Sequence, residues 1–517
     1  LPHLYFTAML KEIDTVKLIF GLKVAQLRRD KGLSYQQLSD LTGMAISYLH
    51  NIEKGKKYPK ADKIMLLARA LDSNYNYLVS LDADKKLKPI IDLLNSAFLK
   101  VFPLSRFGID VTKLIELLSA TPDKVNAFIS TVVKVTRNYQ VQGEDFYKAA
   151  LRSFQDLHDN YFPELEQAVR EFRQTFGYER DQLIRNQELE VFLQQQYDIR
   201  VDRSWLNQHP VLQQVRSYFV PGSRTLYINS HFSPAQENML LAKEIAYQYL
   251  QIEDRPYETR MVEIRSFDHL LNNFKASYFG VALLMGEANM VEDIRAIAAQ
   301  ERYSDRFLLD LMHKYEVTEE MLLQRLTNIL PHHFSIHDLF FLRFYRQPNS
   351  RKFDMTKEMH LSQLHNPYAN QLEEHFCRRW VSIDIIEQFQ QLPEEEQMGK
   401  TIGSAQISRY VGSDNAYLCM SLAKNSSDAP EHATSVTIGL LINDELRRLF
   451  RWLDDPALSN RLVHTTCERC PIQQCEERVA APAVLQHINK RKRIKQVLRE
   501  LRNAGEPALS TERSVRS

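Results

Sequence analysis

Three of the five cysteines in this 517-residue chain stand in one stretch, TTCERCPIQQCEER, residues 465–478. Cys467, Cys470 and Cys475 put three thiols on one tight loop, and ligands so close along a chain lose little entropy when they converge on a metal. A disulfide between two of them would leave the third odd. Thiolates suit Zn(II) or an iron–sulfur cluster, and either asks for a fourth ligand. His464 and His375 are available to a tetrahedral zinc, and Cys377 in EEHFCRRW is the best fourth thiol for a 4Fe-4S cluster. Cys419 lies in a hydrophobic, strand-like run, as a core residue does. Spacing alone leaves zinc and iron–sulfur both open.

The elements around these thiols are mostly helical. Only 15 residues are glycine, and Leu, Glu, Gln, Arg and Lys dominate most segments. The composition, 44% hydrophobic and 25% charged, is ordinary for a globular protein, and the length suggests about three domains. An odd count of five cysteines does not read as a disulfide framework. No apolar run approaches the ~18 residues of a membrane span, and no secretory signal is evident, so a soluble cytoplasmic protein with no membrane partner is expected. The formal charge of +1 is unevenly placed: residues 17–63 carry +6 and the remainder −5. A basic front end on a near-neutral chain suggests an anionic partner for that end.

That front end reads as a helix-turn-helix. Phe20, Val24 and Leu27 repeat at helical spacing before Gly32. Ser34 and Gln37 form a capping-box pattern for a second helix, with Leu38 and Leu41 expected inward. Gly43 permits the turn, and a third helix runs from about Ala45 to Lys54 with Leu49 and Ile52 inward and Ile46, Ser47, His50 and Asn51 opposite. Pro59 precedes a fourth helix with Ile64, Leu67, Ala68 and Leu71 inward. With its LSxxxL-type second helix, turn glycine and IEKGKKYP, this stretch resembles the Cro and phage-repressor type of DNA-binding domain over about residues 17–80. The resemblance implies a third helix in the major groove of double-stranded DNA, with Ile46, Ser47 and Asn51, joined by His50, facing bases. Gln36, Lys54, Lys56 and Lys57 become the candidates for phosphate contact. One such domain reads few base pairs, so a homodimer on a palindromic operator is expected.

Behind it, KVNAFISTVVKVTRNY and FPELEQAVREFRQTF read as amphipathic helices of a connector. From about residue 185 the texture changes: a helix, LEVFLQQQY, precedes β-prone runs at 199, 215 and 225, and Ser233 then caps a long helix. This order resembles the ImmA/IrrE type of metallopeptidase, whose long helix carries HExxH: two histidines bind zinc and the glutamate activates water. Here those five residues are Lys243, Glu244, Ile245, Ala246 and Tyr247, and Asn273 stands where the resemblance expects a carboxylate ligand. Lysine and tyrosine keep their protons at neutral pH and are poor zinc ligands. The reading is therefore a retained fold without peptidase chemistry, with Glu244 a buried partner of Lys243 or of an arginine. An active zinc peptidase that cleaves a repressor is the alternative.

His332, His333 and His337 match no usual ligand spacing and read as packed or surface histidines. GSAQISRYVGSDNAYLCMSLA and TSVTIGLLINDELRRLFRWLDDP suggest strands followed by a helix, as in an α+β ligand-binding domain. Taken in order, the repressor-type front end, the degenerate peptidase-like segment and the terminal TCERCPIQQCEERVAAP resemble the short-chain fatty-acyl transcriptional regulators over about residues 17–485. That resemblance implies an iron–sulfur cluster on the Cys-x2-Cys-x4-Cys motif and an acyl-CoA effector. It favours the cluster over zinc, with a structural-zinc DNA-binding adaptor as a further alternative. LQHINKRKRIKQVLRELR then reads as a basic helix before a polar tail.

The expected fold is mainly α with α+β parts: a helix-turn-helix bundle at 1–84, a helical connector at 85–184, a degenerate zincin-like α+β domain at 185–295 and an α+β sensor domain at 296–490. The end of the basic helix and a disordered tail fill 491–517.

Overall fold

The computed structural model describes residues 15–80, 143–179, 182–259, 261, 263–347, 350–360, 374–426 and 431–505. The expected helix KVNAFISTVVKVTRNY and the terminal tail lie outside these residues.

The chain divides into two compact units, the first Leu1–Phe154 with Glu263–Leu271, the second Gln155–Val262 with Asn272–Ser517. In the first, five helices are described before residue 81: α1 (Thr15–Asp30), α2 (Tyr35–Thr42), α3 (Ile46–Glu53), α4 (Ala61–Ala70) and α5 (Tyr75–Val79). The Ser34–Gln37 capping box forms as expected, with Ser34 Oγ accepting from the Gln37 amide. Gly43 ends α2 in the left-handed region at φ +67°, which its missing Cβ permits. Phe20, Val24, Leu38, Leu49, Ile52, Ile64, Leu67, Ala68 and Leu71 meet in one core.

Leu41 does not join them. It is 58% exposed, and the inward stripe of α2 instead runs through Leu38 and Thr42, one turn apart. The buried Lys23 ammonium closes α5, donating to the carbonyls of Tyr77 at 2.6 Å and Ser80 at 2.7 Å.

Helix α6 (Gly143–Leu157) leads to α7 (Pro163–Thr175), which opens with proline at its first turn, and to α8 (Asn186–Tyr197). Strands β1 (Arg200–Asp202), β2 (Ser217–Val220), β3 (Thr225–Ile228) and β4 (Glu258–Thr259) pair in the order β1-β3-β2-β4, with β1 parallel to β3 and the others antiparallel. Helix α9 (Pro234–Tyr249) starts at the expected Ser233 cap, which forms a capping box with Gln236. Helices α10 (Phe267–Leu284), α11 (Glu287–Ala298), α12 (Arg306–Lys314) and α13 (Glu319–Phe334) follow. Arg325 of α13, fully buried, pairs with Glu166 of α7 at 2.5 and 3.0 Å, and the Tyr278 hydroxyl of α10 donates to the same carboxylate at 2.7 Å. Two charges so deeply buried need such a complete set of partners.

HHFSIHDLFFLRF divides between two elements: His332 and His333 end α13, His337 follows in the connecting loop, and β5 (Leu339–Arg346) holds the apolar run. Strands β6 (Asp354–His360), β7 (Ile402–Tyr410), β8 (Ala416–Asn425), β9 (Ala433–Leu441) and β10 (Ser459–Val463) complete a sheet ordered β10-β7-β8-β9-β5-β6. Only β10 runs parallel to its neighbour, β7. Helix α14 (Val381–Gln390) packs on β7, β8 and β9 through Ile383, Ile386 and Phe389. The short α15 (Glu394–Gln397) and α16 (Asp444–Leu449) connect strands, and the basic run is α17 (Ala483–Gly505), a helix as expected. The architecture is thus mainly helical with two sheets, as the composition implies. Among the described residues, no helix is long and apolar enough to cross a membrane.

Candidate functional sites

Helix α3 presents one face to its core and the other to solvent. Leu49 and Ile52 are sealed, while Ile46 is 42% exposed and Ser47 and His50 are exposed beside the half-buried Asn51. Ala45 precedes α3 without a side-chain cap. The Asn51 carbonyl accepts the backbone amides of Lys56 at 2.9 Å and Lys57 at 3.1 Å, which folds the following turn back onto the helix and leaves both lysine side chains exposed. Lys54 is half-buried at the end of α3, and Gln36 is exposed on α2, donating to Asp40 at 2.9 Å. Gln36, Ile46, Ser47, His50, Lys56 and Lys57 are therefore exposed on α2, α3 and the turn after it, with Asn51 and Lys54 half-buried among them.

What holds α3 there is less visible in the sequence. Arg28 of α1 grips Glu53 with hydrogen bonds of 2.6 and 2.9 Å, and Tyr35 of α2 donates to Glu53 at 2.7 Å. The Arg28 guanidinium lies 4.1 Å from the Tyr35 ring centre, a cation–π contact. Hydrogen bonding to Glu53 raises the Arg28 pKa further, and burial with the same carboxylate pushes Tyr35 to about 12. One carboxylate therefore fixes three helices. Gly21 sets their spacing: a Cβ there would stand 2.3 Å from the Ile52 carbonyl oxygen. A glycine inside a helical pattern is the signal that could have pointed to this close approach.

The peptidase-like positions also meet. Lys243 and Tyr247, one turn apart on α9, both donate to Asn273 Oδ1 of α10, at 2.6 and 3.3 Å. An ammonium and a phenol thus fill the space that two imidazoles and a carboxylate would share around zinc. Burial, and then Arg255, lower the Lys243 pKa to about 7. Glu244 has an arginine partner, as expected: Arg255 holds it at 2.9 and 2.5 Å, both side chains being buried. Arg255 also stacks 3.8 Å from the Tyr247 ring centre.

At the cysteine loop, a bridge between Phe376 and Thr466 crosses two segments, with the Cys377 amide bonded to Thr465 and the Cys467 amide to His375. Cys377, Cys467 and Cys470 are buried and Cys475 is half-buried. The Cys470 amide turns back to the Cys467 carbonyl at 3.3 Å, closing the first Cys-x2-Cys turn. Arg478 donates to the carbonyls of Cys467, Cys470 and Ile472 at 2.8, 3.2 and 2.5 Å. Burial pushes the Cys377 thiol up to about 11, and thiolates at Cys467 and Cys470 would push it the same way. Arg378 is within electrostatic reach of Cys377 and Cys467, and Arg379 of Cys377 and Cys475.

Three buried soft donors, a fourth at the rim and flanking cations fit the chemistry of a thiolate-bound centre. Yet among the described residues no three His, Cys, Asp or Glu side chains stand together as a closed ligand set. His375 is engaged by Glu468 at 2.7 Å, and burial lowers the pKa of His464. Cys419 lies in the β8 core as expected. His332 stacks on Tyr161 at 3.7 Å, His333 meets Glu287 at 2.8 Å and also packs edge-on to Tyr161 and His332, and His337 faces Asp159 at 3.3 Å, so the three are held by ring packing and carboxylates.

A repressor-type reading head and a zincin-like domain define a class, and comparison with known proteins agrees. The helix-turn-helix family matches residues 24–78, and the IrrE N-terminal-like domain family matches residues 194–327. The HTH-type transcriptional regulator RamB of Mycobacterium tuberculosis, in strains CDC 1551 / Oshkosh and ATCC 25618 / H37Rv, is 22% identical over 250 residues, 45% of this chain and 49% of RamB. The chain thus spans about half the length of these curated relatives. The uncharacterized HTH-type transcriptional regulator y4dJ of Sinorhizobium fredii (strain NBRC 101917 / NGR234) is 34% identical over 68 residues, 13% of this chain and 87% of that protein. A solved structure, a Mycobacterium tuberculosis transcriptional regulator, covers 72% of this chain and 98% of its own at a TM-score of 0.45 and 15% identity. The chain belongs to the helix-turn-helix family of transcriptional regulators, and it carries an IrrE N-terminal-like domain.

Proposed function

We propose that the protein is a sequence-specific, cytoplasmic, homodimeric DNA-binding regulator of carbon or fatty-acyl metabolism. The observation that carries this reading is the α3 surface: Ile46, Ser47, His50 and Asn51 together, bordered by Lys54, Lys56 and Lys57. Amides and hydroxyls read base edges, and lysines neutralise phosphates. The names of RamB and y4dJ, both HTH-type transcriptional regulators, support it. Selection from a random duplex pool tests it. An inverted repeat with half-sites about one helical turn apart is the expected product; a pool without sequence enrichment overturns the reading.

The cysteine loop is the proposed sensor. Cys467, Cys470, Cys475 and Cys377 would hold a 4Fe-4S cluster, which supplies a redox couple when bound. Arg378 and Arg379 would offset thiolate charge, and Arg478 ties the carbonyls of Cys467, Cys470 and Ile472 together across the loop. Likeness to the short-chain fatty-acyl regulators adds an acyl-CoA effector. Cluster or effector changes DNA affinity only through states that bind the operator differently. The IrrE-like domain serves as a scaffold without peptidase activity, a reading supported by Lys243, Tyr247 and Asn273 at the ligand positions.

A further inference from the structure

The IrrE-like sheet has a face that none of these roles uses. Along β2 and β3 the side chains alternate: Ser217, Phe219, Leu226 and Ile228 are buried, and Tyr218 and Tyr227 point to the other side. Strand register sets Asp202, Tyr227, Tyr218 and Glu258 in one row across β1, β3, β2 and β4. The segment with the single-turn 3-10 helices Leu206–Gln208 and Pro210–Leu212 borders this row and, with it, lines an open cleft of about 470 Å³. Trp205 stands 5.5 Å from Tyr227, their rings inclined at 54°, and Leu206 and Leu212 supply apolar wall.

The two carboxylates of the row differ. Asp202 serves its own chain, accepting the amides of Ser204 at 2.7 Å and Trp205 at 3.0 Å, which fixes Trp205 at the rim. Glu258 lines the cleft and is engaged by no hydrogen bond or ion pair among the described residues. Among the described residues the lining contains no lysine or arginine, and its one charged side chain is the Glu258 carboxylate.

The geometry points to a binding site for a small organic cation with an apolar body. The faces of Trp205, Tyr218 and Tyr227 carry the negative side of the aromatic quadrupole, and a cation placed over them also meets the Glu258 carboxylate. The leucines take the apolar remainder. This site is separate from the cysteine loop and differs in charge preference from an acyl-CoA site.

Trp205 reports on its own occupancy. The chain has three tryptophans, and Trp380 and Trp452 are buried while Trp205 is 44% exposed. The full chain is titrated with benzyltrimethylammonium and, separately, with phenylacetate, following tryptophan emission. Saturable quenching by the cation alone is expected. Glu258→Gln should weaken it about fivefold, as for loss of a partly exposed charge pair. Tyr227→Leu should weaken it about threefold without altering charge. Thermal unfolding of both variants, expected near that of the parent chain, excludes misfolding as the cause. Absence of saturation, an equal response to phenylacetate, or unchanged cation affinity in both folded variants overturns the proposal.

Discussion

Arg28 and Glu53 form a bidentate pair, 2.6 and 2.9 Å, between α1 and the last residue of α3. Side-chain exposures of 11% and 4% place it well away from bulk water. A pair of this kind is weak evidence for net stability, but removal of one partner strands the other. It orients α3 more than it holds the fold together.

Arg28→Leu should therefore destabilise the helix-turn-helix by ~3 kcal/mol, because Glu53 keeps a buried charge with only Tyr35 as partner. The double change Arg28→Leu with Glu53→Gln should recover part of that loss. Chemical denaturation of the variants measures both. A single variant as stable as the parent would show that the pair does not constrain α3.

Asn51→Ala should weaken binding to the selected operator by about 1–3 kcal/mol, the range for a lost bidentate base contact, and leave nonspecific binding nearly unchanged. Lys56→Ala should instead lower the salt dependence on every sequence by about one phosphate's worth. Titrations at several salt concentrations separate the two. Equal loss on all duplexes removes Asn51 as a reader, and an unchanged slope removes Lys56 from the phosphate contacts.

Lys243 makes stability depend on pH. Burial, and then Arg255, lower its pKa from 10.5 to about 7, with Arg216 and Lys357 acting the same way and Glu244 opposing. Above about pH 7 the unfolded chain keeps a proton that the folded chain releases, so this lysine's contribution makes stability rise with pH from about 7 until the unfolded lysine itself titrates near 10.5. Below that window the buried ammonium weighs fully against folding. Lys243→Met should flatten the rise and stabilise the protein at pH 6 by on the order of 1–3 kcal/mol. Denaturation midpoints between pH 6 and 9 check this; an identical slope in the variant refutes it.

Glu244 separates the scaffold reading from the peptidase. With Arg255 as its buried partner, Glu244→Gln should cost about 3–5 kcal/mol by stranding a guanidinium. No zinc-dependent cleavage of a helix-turn-helix repressor should be detected in the parent chain. Cleavage by the parent chain that a zinc chelator abolishes and added zinc restores would establish the enzyme instead.

Local chemistry was legible before the fold was known. The Ser34–Gln37 and Ser233 caps, the turn at Gly43 and the strands near 200, 217 and 225 depend on neighbouring residues, and all formed as expected. The meeting of Lys243, Tyr247 and Asn273 followed from aligning two helices to one motif. Leu41 was misplaced because a helix's inward face is chosen by what packs on it, and a shift of one residue turns it by about 100°. The Arg28–Glu53 clamp spans 25 residues, and the Tyr227–Tyr218–Glu258 row depends on strand register; neither has a local signature. The crossing of Cys377 with Cys467 likewise depends on a bridge between segments 90 residues apart.

Coupling between the cysteine loop and DNA binding is measured directly. Protein purified without air is assayed for iron, sulfide and zinc, and its affinity for the selected operator is measured before and after exposure to air. About four irons and four sulfides per chain are expected, with an operator affinity that changes when the cluster is lost, in step with loss of the absorbance near 400 nm. One zinc without iron, or an affinity identical in both states, contradicts this expectation.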